Sequence, residues 1–559
     1  MKRLEKDFDV SNFYFYYGPS HLLSTRSLVF CIYLDAQGPE ADFYSRNVYR
    51  EFPQTEHHKD STVIDLFVHT LLEVLRMKRD LFMKEYAVKE DGENYQVAIE
   101  YLDENTAEDA VYLVSDWFKS MNQEKESSFN FPKKYKSLVR RFDDSLAADP
   151  MLYAMMDLAV KEDVPFFFLQ EEDQLQWGYG YKQSRTNSGM FHTDSIVDRA
   201  FTRNNENISN FLMMGGFPTP LTQKCHSEQE VLEEADKMGY PVVLKPVNSP
   251  ASLRSFANID SHKTLKKTFR KYRKYYDKAD APFSGILVQQ HITGKEYCLL
   301  VIGGKYTATC NDQGDIFPEI HPDNQLLVES LAAFFTIRSL GVRVLADDLA
   351  RSWRAGNFGI INLVTSPELC IDEIAPANLL GSIARKMIHS HFPRPENARI
   401  PIIAGNNISQ HLALKICRMA REHQKGLFTA ALPREGVFFN EQFFFKNPSH
   451  EQNVKLLLRH PRSGLAVISH HREQIYESGF FHEGADLIIL QDPNWAEEAL
   501  KELLLPAGWL VQVNPNELAI FSKAKQEKTI PFETEAEMQE KLLDWINSLL
   551  PELLKKYET

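Results

Sequence analysis

The stretch MGYPVVLKPVNSPASLRSFANI, residues 238–259, is followed by ILVQQHITGKEYCLLVIGGK at residues 286–305. In the first stretch the apolar run PVVLKPV (241–247) is short and ends at a lysine and a proline, which is typical of a buried strand. The second stretch contains two more apolar runs rich in β-branched residues. An amphipathic helical pattern at 227–240 precedes them, so the middle of the chain is predicted to be α/β.

Further along the chain, NQLLVESLAAFFTIRSLG (324–341) predicts a helix that ends at Gly341. FGIINLV (358–364) and LCIDEI (369–374) are separated by Thr-Ser-Pro-Glu, which predicts a hairpin. The polar segment 389–401 is predicted to be a linker.

Beyond that linker, strand and helix patterns alternate as they do in βαβ units. They occupy residues 400–405, 412–423, 464–470 and 485–493. The tail from about residue 534 predicts one amphipathic helix, interrupted by Pro551.

The first 165 residues have a different pattern. SLVFCIYLD (27–35) and YQVAIEYLD (95–103) are rich in β-branched and aromatic residues, as strands are. Residues 62–77 have apolar side chains at helical spacing. The polar segment 122–137 resembles a linker, and the region is predicted to be an α+β domain.

Composition limits the possible partners. The 559-residue chain has a net charge of -14, which argues against nucleic acid as its main partner. No run of 18 apolar residues exists, and no apolar segment follows the N-terminal MKRLEKDFDV, so neither a membrane span nor a secretory signal is expected. Six widely spaced cysteines predict reduced thiols and a cytoplasmic protein.

In their order along the chain, these blocks resemble cyanophycin synthetase, a bacterial peptide ligase. GGFPTP (215–220) and the two stretches quoted first are similar to its ATP-grasp domain. GPSHLLSTRSLVFCIYLD (18–35) and VAIEYLDENTA (97–107) are similar to its N-terminal domain. The resemblance implies an α/β multidomain protein with three domains. They are an α+β N-terminal domain at 1–165, an ATP-grasp-like domain at 166–395, and a shortened, degenerate P-loop/Mur-ligase-like α/β domain with a C-terminal helix at 396–559.

A complete member of that family makes a polymer with an aspartate backbone and arginine side groups. Its ATP-grasp site activates a backbone carboxylate as an acyl phosphate, and its Mur-like site activates the aspartate side chain. Such chemistry requires cations around the triphosphate and divalent metal ions. The resemblance therefore implies ATP and Mg²⁺ as the cofactors to test.

Part of the implied ATP site is retained in this sequence. Lys245 matches the second lysine of the family, and Glu296 matches an acidic residue that can accept ribose hydroxyl groups. Gln289 stands where the family has glutamate. Ser209 stands in place of the first lysine, and Cys298 in place of an arginine.

The flap and the metal ligands depart further from the family. VNSPASLRSF (247–256) has no glycine whose amide could close on phosphate, and only Arg254 offers a compensating charge. Of the three magnesium ligands, Glu373 retains the glutamate, with Asp372 beside it as a substitute. In the preferred alignment, Asn362 and Ala375 stand at the other two ligand positions. In a rival alignment Asp348 is the first ligand, and Asn362 and Val364 replace the other two.

In the Mur-like domain the P-loop GTNGKTT is replaced by GNNISQH (405–411). Ser409 stands in place of the lysine that bridges the outer phosphates. His470 and His471 occupy the position of the next acidic strand end, but neighbouring residues on a strand point to opposite faces, which argues against a shared metal ion.

Three functions are compatible with this pattern. The first is a pseudoenzyme that serves as a scaffold, polymer-binding subunit or regulatory partner of an active paralogue. The second is an ATP-dependent carboxylate–amine ligase that uses only the ATP-grasp site, with Lys245, Glu296, Glu373 and Arg254. The third is peptide binding by the N-terminal domain, with His69 and Glu73 one helical turn apart. The expected partners are another copy of the chain, an active paralogue, or a peptide polymer with acidic and basic groups.

Overall fold

A computed structural model describes residues 6–20, 22–58, 62–77, 83–92, 94–122, 129–144, 149–169, 174–187, 190–248, 254–278, 282–311, 316–317, 319–365, 377–491, 499–522 and 525–557. It is a mixed α/β multidomain protein, as the sequence predicts. The chain divides into two compact units. The first unit comprises residues 1–149, 159–183 and 394–559, and the second comprises 150–158 and 184–393. The three-domain division implied by the resemblance stays a prediction.

The first unit begins with four antiparallel strands in the order β1-β2-β4-β3 and four helices. These elements are β1 (Asp9–Tyr16), β2 (Ser27–Tyr33), α1 (Ala41–Glu51), α2 (Val63–Arg76), β3 (Tyr86–Asp91), β4 (Asn94–Glu100), α3 (Glu104–Met121) and α4 (Phe131–Asp143). Both predicted strands, 27–35 and 95–103, are present and pair with each other. Phe8, Phe67 and Phe118 form an aromatic cluster in which α2 and α3 meet, with ring centroids 5.2–6.2 Å apart.

Helix α5 (Pro150–Lys161) leads into two antiparallel hairpins. The first hairpin is β5 (Phe166–Leu169) with β6 (Gln174–Trp177), and the second is β7 (Ser184–Asn187) with β8 (Met190–Phe191). Between them Gly180 has a φ of +56°, and a Cβ there would lie 2.0 Å from the Ser463 carbonyl oxygen. Only glycine tolerates both the left-handed backbone and this close approach.

In the second unit, two antiparallel sheets follow helices α6 (Ile196–Thr202) and α7 (Asn205–Met214). The four-stranded sheet has the order β11-β10-β12-β9 and the five-stranded sheet the order β15-β14-β13-β16-β17. Their elements are β9 (Thr222–Cys225), α8 (Glu228–Met238), β10 (Val242–Pro246), β11 (Phe256–Ile259), α9 (His262–Lys278), β12 (Ile286–Gln290), β13 (Lys295–Ile302), β14 (Lys305–Asn311), β15 (Ile316–Phe317), α10 (Pro322–Ala332), β16 (Ser339–Ala346), β17 (Phe358–Thr365) and α11 (Ala377–His391).

Each sheet of the second unit has its own core. Leu244, Val288 and Tyr272 pack α8 and α9 against the four-stranded sheet. Leu299, Val342 and the apolar face of α10 form the core of the five-stranded sheet.

The last part of the first unit is a nine-stranded sheet in the order β21-β20-β19-β22-β18-β23-β24-β25-β26. Its elements are β18 (Ile402–Asn406), α12 (Gln410–His423), β19 (Phe428–Leu432), β20 (Val437–Phe439), β21 (Gln442–Phe445), α13 (His450–Arg459), β22 (Ser463–His470), α14 (Arg472–Ser478), β23 (Ala485–Gln491), β24 (Leu504–Asn514), β25 (Glu517–Ser522), β26 (Lys525–Pro531) and α15 (Glu535–Lys555). Strands β19, β22, β18, β23 and β24 are parallel. Helices α12 and α15 cover one face and α13 the other, so the βαβ prediction for this region is confirmed.

Short 3₁₀ turns occupy Pro53–His58, Gly180–Lys182, Pro395–Ala398 and Ala499–Leu503. Within the described part of the chain, every helix is too short or too polar to span a membrane.

Two predictions about elements are wrong, and a third is tested only in part. The helix predicted at 324–341 ends at Ala332, and Gly341 lies inside β16. The run SLGVRVLA instead pairs with both β13 and β17, because its alternating side chains fill the sheet core. Pro551 does not interrupt α15, because it lies in the helix's last turns. Of the predicted hairpin at 358–374, β17 is present and the second strand lies outside the described residues.

The cysteines also differ from the expectation of reduced thiols. Cys298 is disulfide-bonded, whereas Cys31, Cys225, Cys310 and Cys417 are free. Cys370 lies outside the described residues. Spacing along the chain did not reveal this bond, because the fold decides which sulfur atoms come together.

Candidate functional site

Lys245 lies at the seam between the two sheets of the second unit. It is the fourth residue of β10 and is 7% exposed. Its Nζ donates a hydrogen bond to the carbonyl oxygen of Ile361 in β17 at 2.7 Å. Burial lowers the pKa of Lys245 to about 8, while Glu296 opposes the shift and Arg343 reinforces it. The ammonium group therefore connects β10 to β17.

Glu296 lies close to this lysine but is engaged by a neighbour. Its Oε1 accepts a hydrogen bond from Arg343 Nη1 at 3.0 Å, and each side chain is about two-fifths exposed, at 41% and 38%. Arg343 therefore engages one of the two oxygens of this carboxylate. Arg343 is not among the predicted site residues, because the helix predicted at 324–341 concealed the start of the strand Ser339–Ala346 in which it lies.

Gln289 and Ser209 are both buried. Gln289 Nε2 donates to Thr222 Oγ1 at 2.8 Å, across the pairing of β12 with β9. Ser209 faces inward from α7, where the family's first lysine was expected. Neither side chain offers a charge to a phosphate group.

Of the flap, residues 247–248 and 254–256 belong to the described structure. Arg254 is exposed, and its carbonyl oxygen accepts a hydrogen bond from Tyr272 Oη at 2.6 Å. Residues 249–253 lie outside the described residues, as do Asp372, Glu373 and Ala375.

The described residues do not complete a magnesium site. Asn362 Oδ1 is buried without a hydrogen-bond partner among the described residues, and Asn362 is opposite Arg343 in the pairing of β17 with β16. Asp348, the first ligand of the rival register, is exposed and accepts the N–H of Ala350. Across the described ranges, no three His, Cys, Asp or Glu side chains are grouped so that they could hold a metal ion. One amide oxygen beside an arginine is a poor site for a hard divalent cation.

The loop at 405–411, expected to differ from a P-loop, connects β18 to α12 in the first unit. Ile408 is buried in the core, and its N–H donates to Ser469 Oγ at 3.1 Å. Ser409 caps α12 by accepting the N–H of Leu412 at 3.2 Å. A Cβ on Gly405 would lie 2.4 Å from the Ile489 carbonyl oxygen, so this glycine serves packing. In a P-loop the backbone N–H groups point at phosphate, whereas the Ile408 N–H donates to Ser469 within the protein.

A cavity of about 390 Å³ lies beyond the carboxyl ends of β18, β19 and β22. Arg434, Lys446 and Arg472 line it, together with Glu473. The pKa of His471, which also lines it, is lowered by burial and then by Arg434 and Lys446, against Glu473. The cavity is therefore electropositive, in the crevice position where doubly wound sheets hold ligands.

His470 does not share a site with His471. It lies inside the first unit in a chain of three buried histidines, with His450 Nε2 and His482 Nε2 each 3.1 Å from one of its ring nitrogens. Burial lowers the pKa of all three, to about 4 for His450 and about 3 for His482.

The pair expected to contact a peptide in the N-terminal region is not available. Glu73 is 8% exposed and accepts hydrogen bonds from Arg76 Nη1 at 2.6 Å and from Gln54 Nε2 at 2.5 Å. His69 stacks on His58 with ring centroids 4.0 Å apart. Both side chains are therefore engaged within the fold.

Together, fold and site define an α/β multidomain protein with two features. One is a charged seam between two antiparallel sheets, and the other is a sheet with a parallel centre, in which Ile408 of the loop at 405–411 is buried in the core. No family model matches the chain. Two curated relatives do, and both are cyanophycin synthetases. The one from Synechocystis sp. (strain ATCC 27184 / PCC 6803 / Kazusa) is 20% identical over 483 residues, covering 71% of this chain and 54% of the relative. The one from Crocosphaera subtropica (strain ATCC 51142 / BH68) is 19% identical over 482 residues with the same coverage.

These matches confirm the resemblance to cyanophycin synthetase, although the chain spans about half the length of the relatives it matches. Among solved structures, a bifunctional glutathione synthetase from Pasteurella multocida matches at 13% identity with a TM-score of 0.33, covering 51% of this chain and 49% of that one. A D-alanine–D-alanine ligase from Bacillus anthracis matches at 14% identity with a TM-score of 0.27, covering 36% and 72%. TM-scores this low carry no argument about fold or activity.

Proposed function

We propose that this cyanophycin synthetase-like protein does not catalyse ligation itself and acts as a scaffold, polymer-binding subunit or regulatory partner of an active ligase in the cytoplasm. The observation that carries the proposal is the hydrogen bond from Lys245 to the Ile361 carbonyl oxygen. A lysine that contacts a transferring phosphate must present its ammonium group to the ligand. Here that group is buried and already bonded.

The second nucleotide site supports the same proposal independently. The loop at 405–411 has no lysine, and Ile408 fills the core where the backbone of a P-loop would curve around phosphate. Removing one charged contact to the transition state typically costs about 3 kcal/mol. Changes at both sites together are expected to leave no measurable turnover.

The decisive measurement is isothermal titration calorimetry of the intact protein with ATP and MgCl₂. We expect no binding heat at about millimolar ATP. At that concentration even a ligand with a binding free energy of only about 4 kcal/mol would occupy a large fraction of the sites. Micromolar binding that is lost in a Lys245→Met variant would contradict the proposal. Lys295→Met serves as the matched control, because Lys295 is exposed on the neighbouring strand β13.

The alternative is an ATP-dependent carboxylate–amine ligase that forms an acyl phosphate at the seam. What favours it is that Lys245, Glu296 and Arg343 are close enough to influence one another's charge. ATP would then be held by Lys245 and Glu296, and Mg²⁺ by residues that include Asp372 and Glu373. Release of ADP on addition of amino acids or aspartate–arginine peptides would favour this alternative, and its absence in the presence of bound ATP would exclude it.

The partner is proposed to be an active paralogue, a further copy of the chain, or a peptide polymer with acidic and basic groups. Affinity purification followed by mass spectrometry tests the first, and size-exclusion chromatography with light scattering tests the second. Co-sedimentation with insoluble aspartate–arginine polymer tests the third. A monomer that retains neither protein nor polymer would contradict the scaffold proposal.

A further inference from the structure

A second cavity of about 390 Å³ lies inside the first unit, and neither candidate nucleotide site uses it. Two blocks that carry the resemblance, 18–35 and 97–107, contribute part of its wall. The remaining wall comes from α5 and the C-terminal part of the unit. The charged residues of the lining are Arg26, Glu100, Asp163, Arg399, Glu483 and Glu502.

Arg26 is a guanidinium group held without an ion pair to any carboxylate among the residues that the structure describes. Its Nη2 donates to the Phe166 carbonyl oxygen at 3.2 Å. Four aromatic rings surround it, with centroids 5.0–6.0 Å from its Cζ atom. Aromatic rings hold the orientation of an arginine but leave its paired N–H groups available for a carboxylate.

Glu483 lies on the same cavity with the opposite charge. Within the described ranges its carboxylate accepts no hydrogen bond, although its N–H donates to Tyr179 Oη at 2.9 Å. Burial raises the pKa of Glu483, while the charges of Arg26 and Arg399 oppose that rise. The carboxylate is therefore close enough to Arg26 to sense its charge, yet the two groups do not touch.

Three of the other charged residues around the cavity have partners within the protein. Arg399 donates to Asp163 Oδ1 at 2.8 Å and to the Glu483 carbonyl oxygen at 2.8 Å. Glu100 accepts the N–H groups of Lys84 at 2.7 Å and Glu85 at 2.9 Å. Glu502 is exposed to solvent, so Arg26 and Glu483 are the two partly buried charges of the lining that form no ion pair among the described residues.

Charges removed from bulk water are normally paired, because an unpaired charge in a protein interior is costly. Two opposite charges that face one cavity without meeting are complementary to a ligand that carries both. We propose that this cavity binds a free α-amino acid, with its ammonium group on Glu483 and its carboxylate on Arg26. Val160 and Leu503–Leu505 form an apolar wall, which would accept an aliphatic side chain.

The cavity's size agrees with such a ligand, since small-molecule sites measure about 300–1,000 Å³. Its chemistry also predicts a specificity pattern. A compound that lacks either the ammonium or the carboxylate group leaves one buried charge unpaired and should be rejected.

The test is calorimetry of the intact protein with L-leucine, N-acetyl-L-leucine and L-leucinamide as probes. L-leucine is expected to bind with a dissociation constant of about 1 mM or tighter. The two capped compounds, each without one charge, are expected to bind at least about tenfold more weakly. Absence of heat from L-leucine at about 10 mM would overturn the proposal and indicate a cavity that holds only water.

Two variants separate a ligand site from a structural ion pair. Glu483→Gln is expected to lose L-leucine binding by at least about tenfold, while the thermal midpoint of the free protein stays equal or rises, because an unpaired charge is removed. A lowered midpoint with unchanged binding would overturn the proposal.

Val160→Trp is the second variant and serves if the first does not fold. Val160 is 46% exposed, so a larger side chain can enter the cavity without disturbing the core. It is expected to abolish L-leucine binding, whereas the matched control Val197→Trp, at a position 73% exposed in the other unit, is expected to leave it unchanged. Equal binding by both variants would also contradict the proposal.

Discussion

At the scale of single residues, Lys245 predicts how stability depends on pH. Its pKa is about 8 in the folded protein against the usual 10.5, because burial disfavours the charged form. Between these two pH values the unfolded chain binds more protons than the folded one, so the free energy of unfolding rises with pH. The gain is at most about 3 kcal/mol.

The measurement is urea unfolding of the wild type and of Lys245→Met from pH 8 to pH 10.5. The variant is expected to lack the rise, and the control Lys295→Met is expected to keep it. Parallel curves for wild type and Lys245→Met would mean that the ammonium group is solvated in the folded protein, which would also remove the main support for the pseudoenzyme proposal.

The chain of three buried histidines makes the opposite end of the pH range informative. The pKa of His450 falls from its usual 6.5 to about 4 on burial. The unfolded chain therefore takes up protons first, and stability is lost as the pH falls from 6.5 towards 4. In His450→Gln the slope of the free energy of unfolding against pH is expected to decrease by up to the equivalent of one bound proton. Acid titrations followed by tryptophan fluorescence measure the slope, and an unchanged slope would contradict the assignment.

At the scale of elements, Ser409 has a structural role. Its hydroxyl group caps α12 at the position where the resemblance predicts that a phosphate-binding lysine has been replaced. Ser409→Ala is expected to destabilise the protein by about 1 kcal/mol. Ser548→Ala is the matched control, because Ser548 is exposed inside α15 and should change stability by less than about 0.5 kcal/mol. Equal thermal midpoints for the two variants would show that the cap contributes nothing.

Periodicity predicted most elements correctly and failed where two signals overlapped. Residues 324–341 contain a helix and the start of a strand without glycine or proline between them, so one pattern concealed the other. The consequence extended to the site, because Arg343 was overlooked as the partner of Glu296. The resemblance assigns Lys245 and Glu296 to one site, and the charge of Glu296 acts on Lys245. Only the three-dimensional contacts reveal the hydrogen bond that each makes, to Ile361 and Arg343 respectively.

The cavity with Arg26 and Glu483 could not have been predicted from spacing. Its two charges are more than four hundred residues apart in a chain of 559. The blocks 18–35 and 97–107 were recognisable as parts of a resemblance, but nothing in them indicates which later segment completes the wall. Long-range packing of this kind is specified by shape and apolar burial rather than by a local motif.

At the scale of the whole molecule, the first unit is assembled from both ends of the chain and the segment 159–183. Phe167 and Tyr179 from this segment lie in the core of the nine-stranded sheet. Tyr179 N–H donates to the Ala398 carbonyl oxygen at 2.9 Å, and Gln176 Nε2 donates to that of Leu458 at 3.3 Å. A fragment cut at the sequence-based boundary, residues 396–559, therefore lacks part of its own core.

We expect that fragment to bind the dye ANS and to unfold without a sharp transition, because an apolar face that belongs inside is left exposed. Joining residues 159–183 through a flexible linker to 394–559 should restore a cooperative transition and reduce dye binding. Tyr179→Ala in the joined fragment is expected to cost about 3 kcal/mol, because a buried aromatic side chain is removed. If residues 396–559 alone melt as cooperatively as the joined fragment, the sequence-based boundary is correct. The segment 159–183 would then only pack against a domain that folds without it.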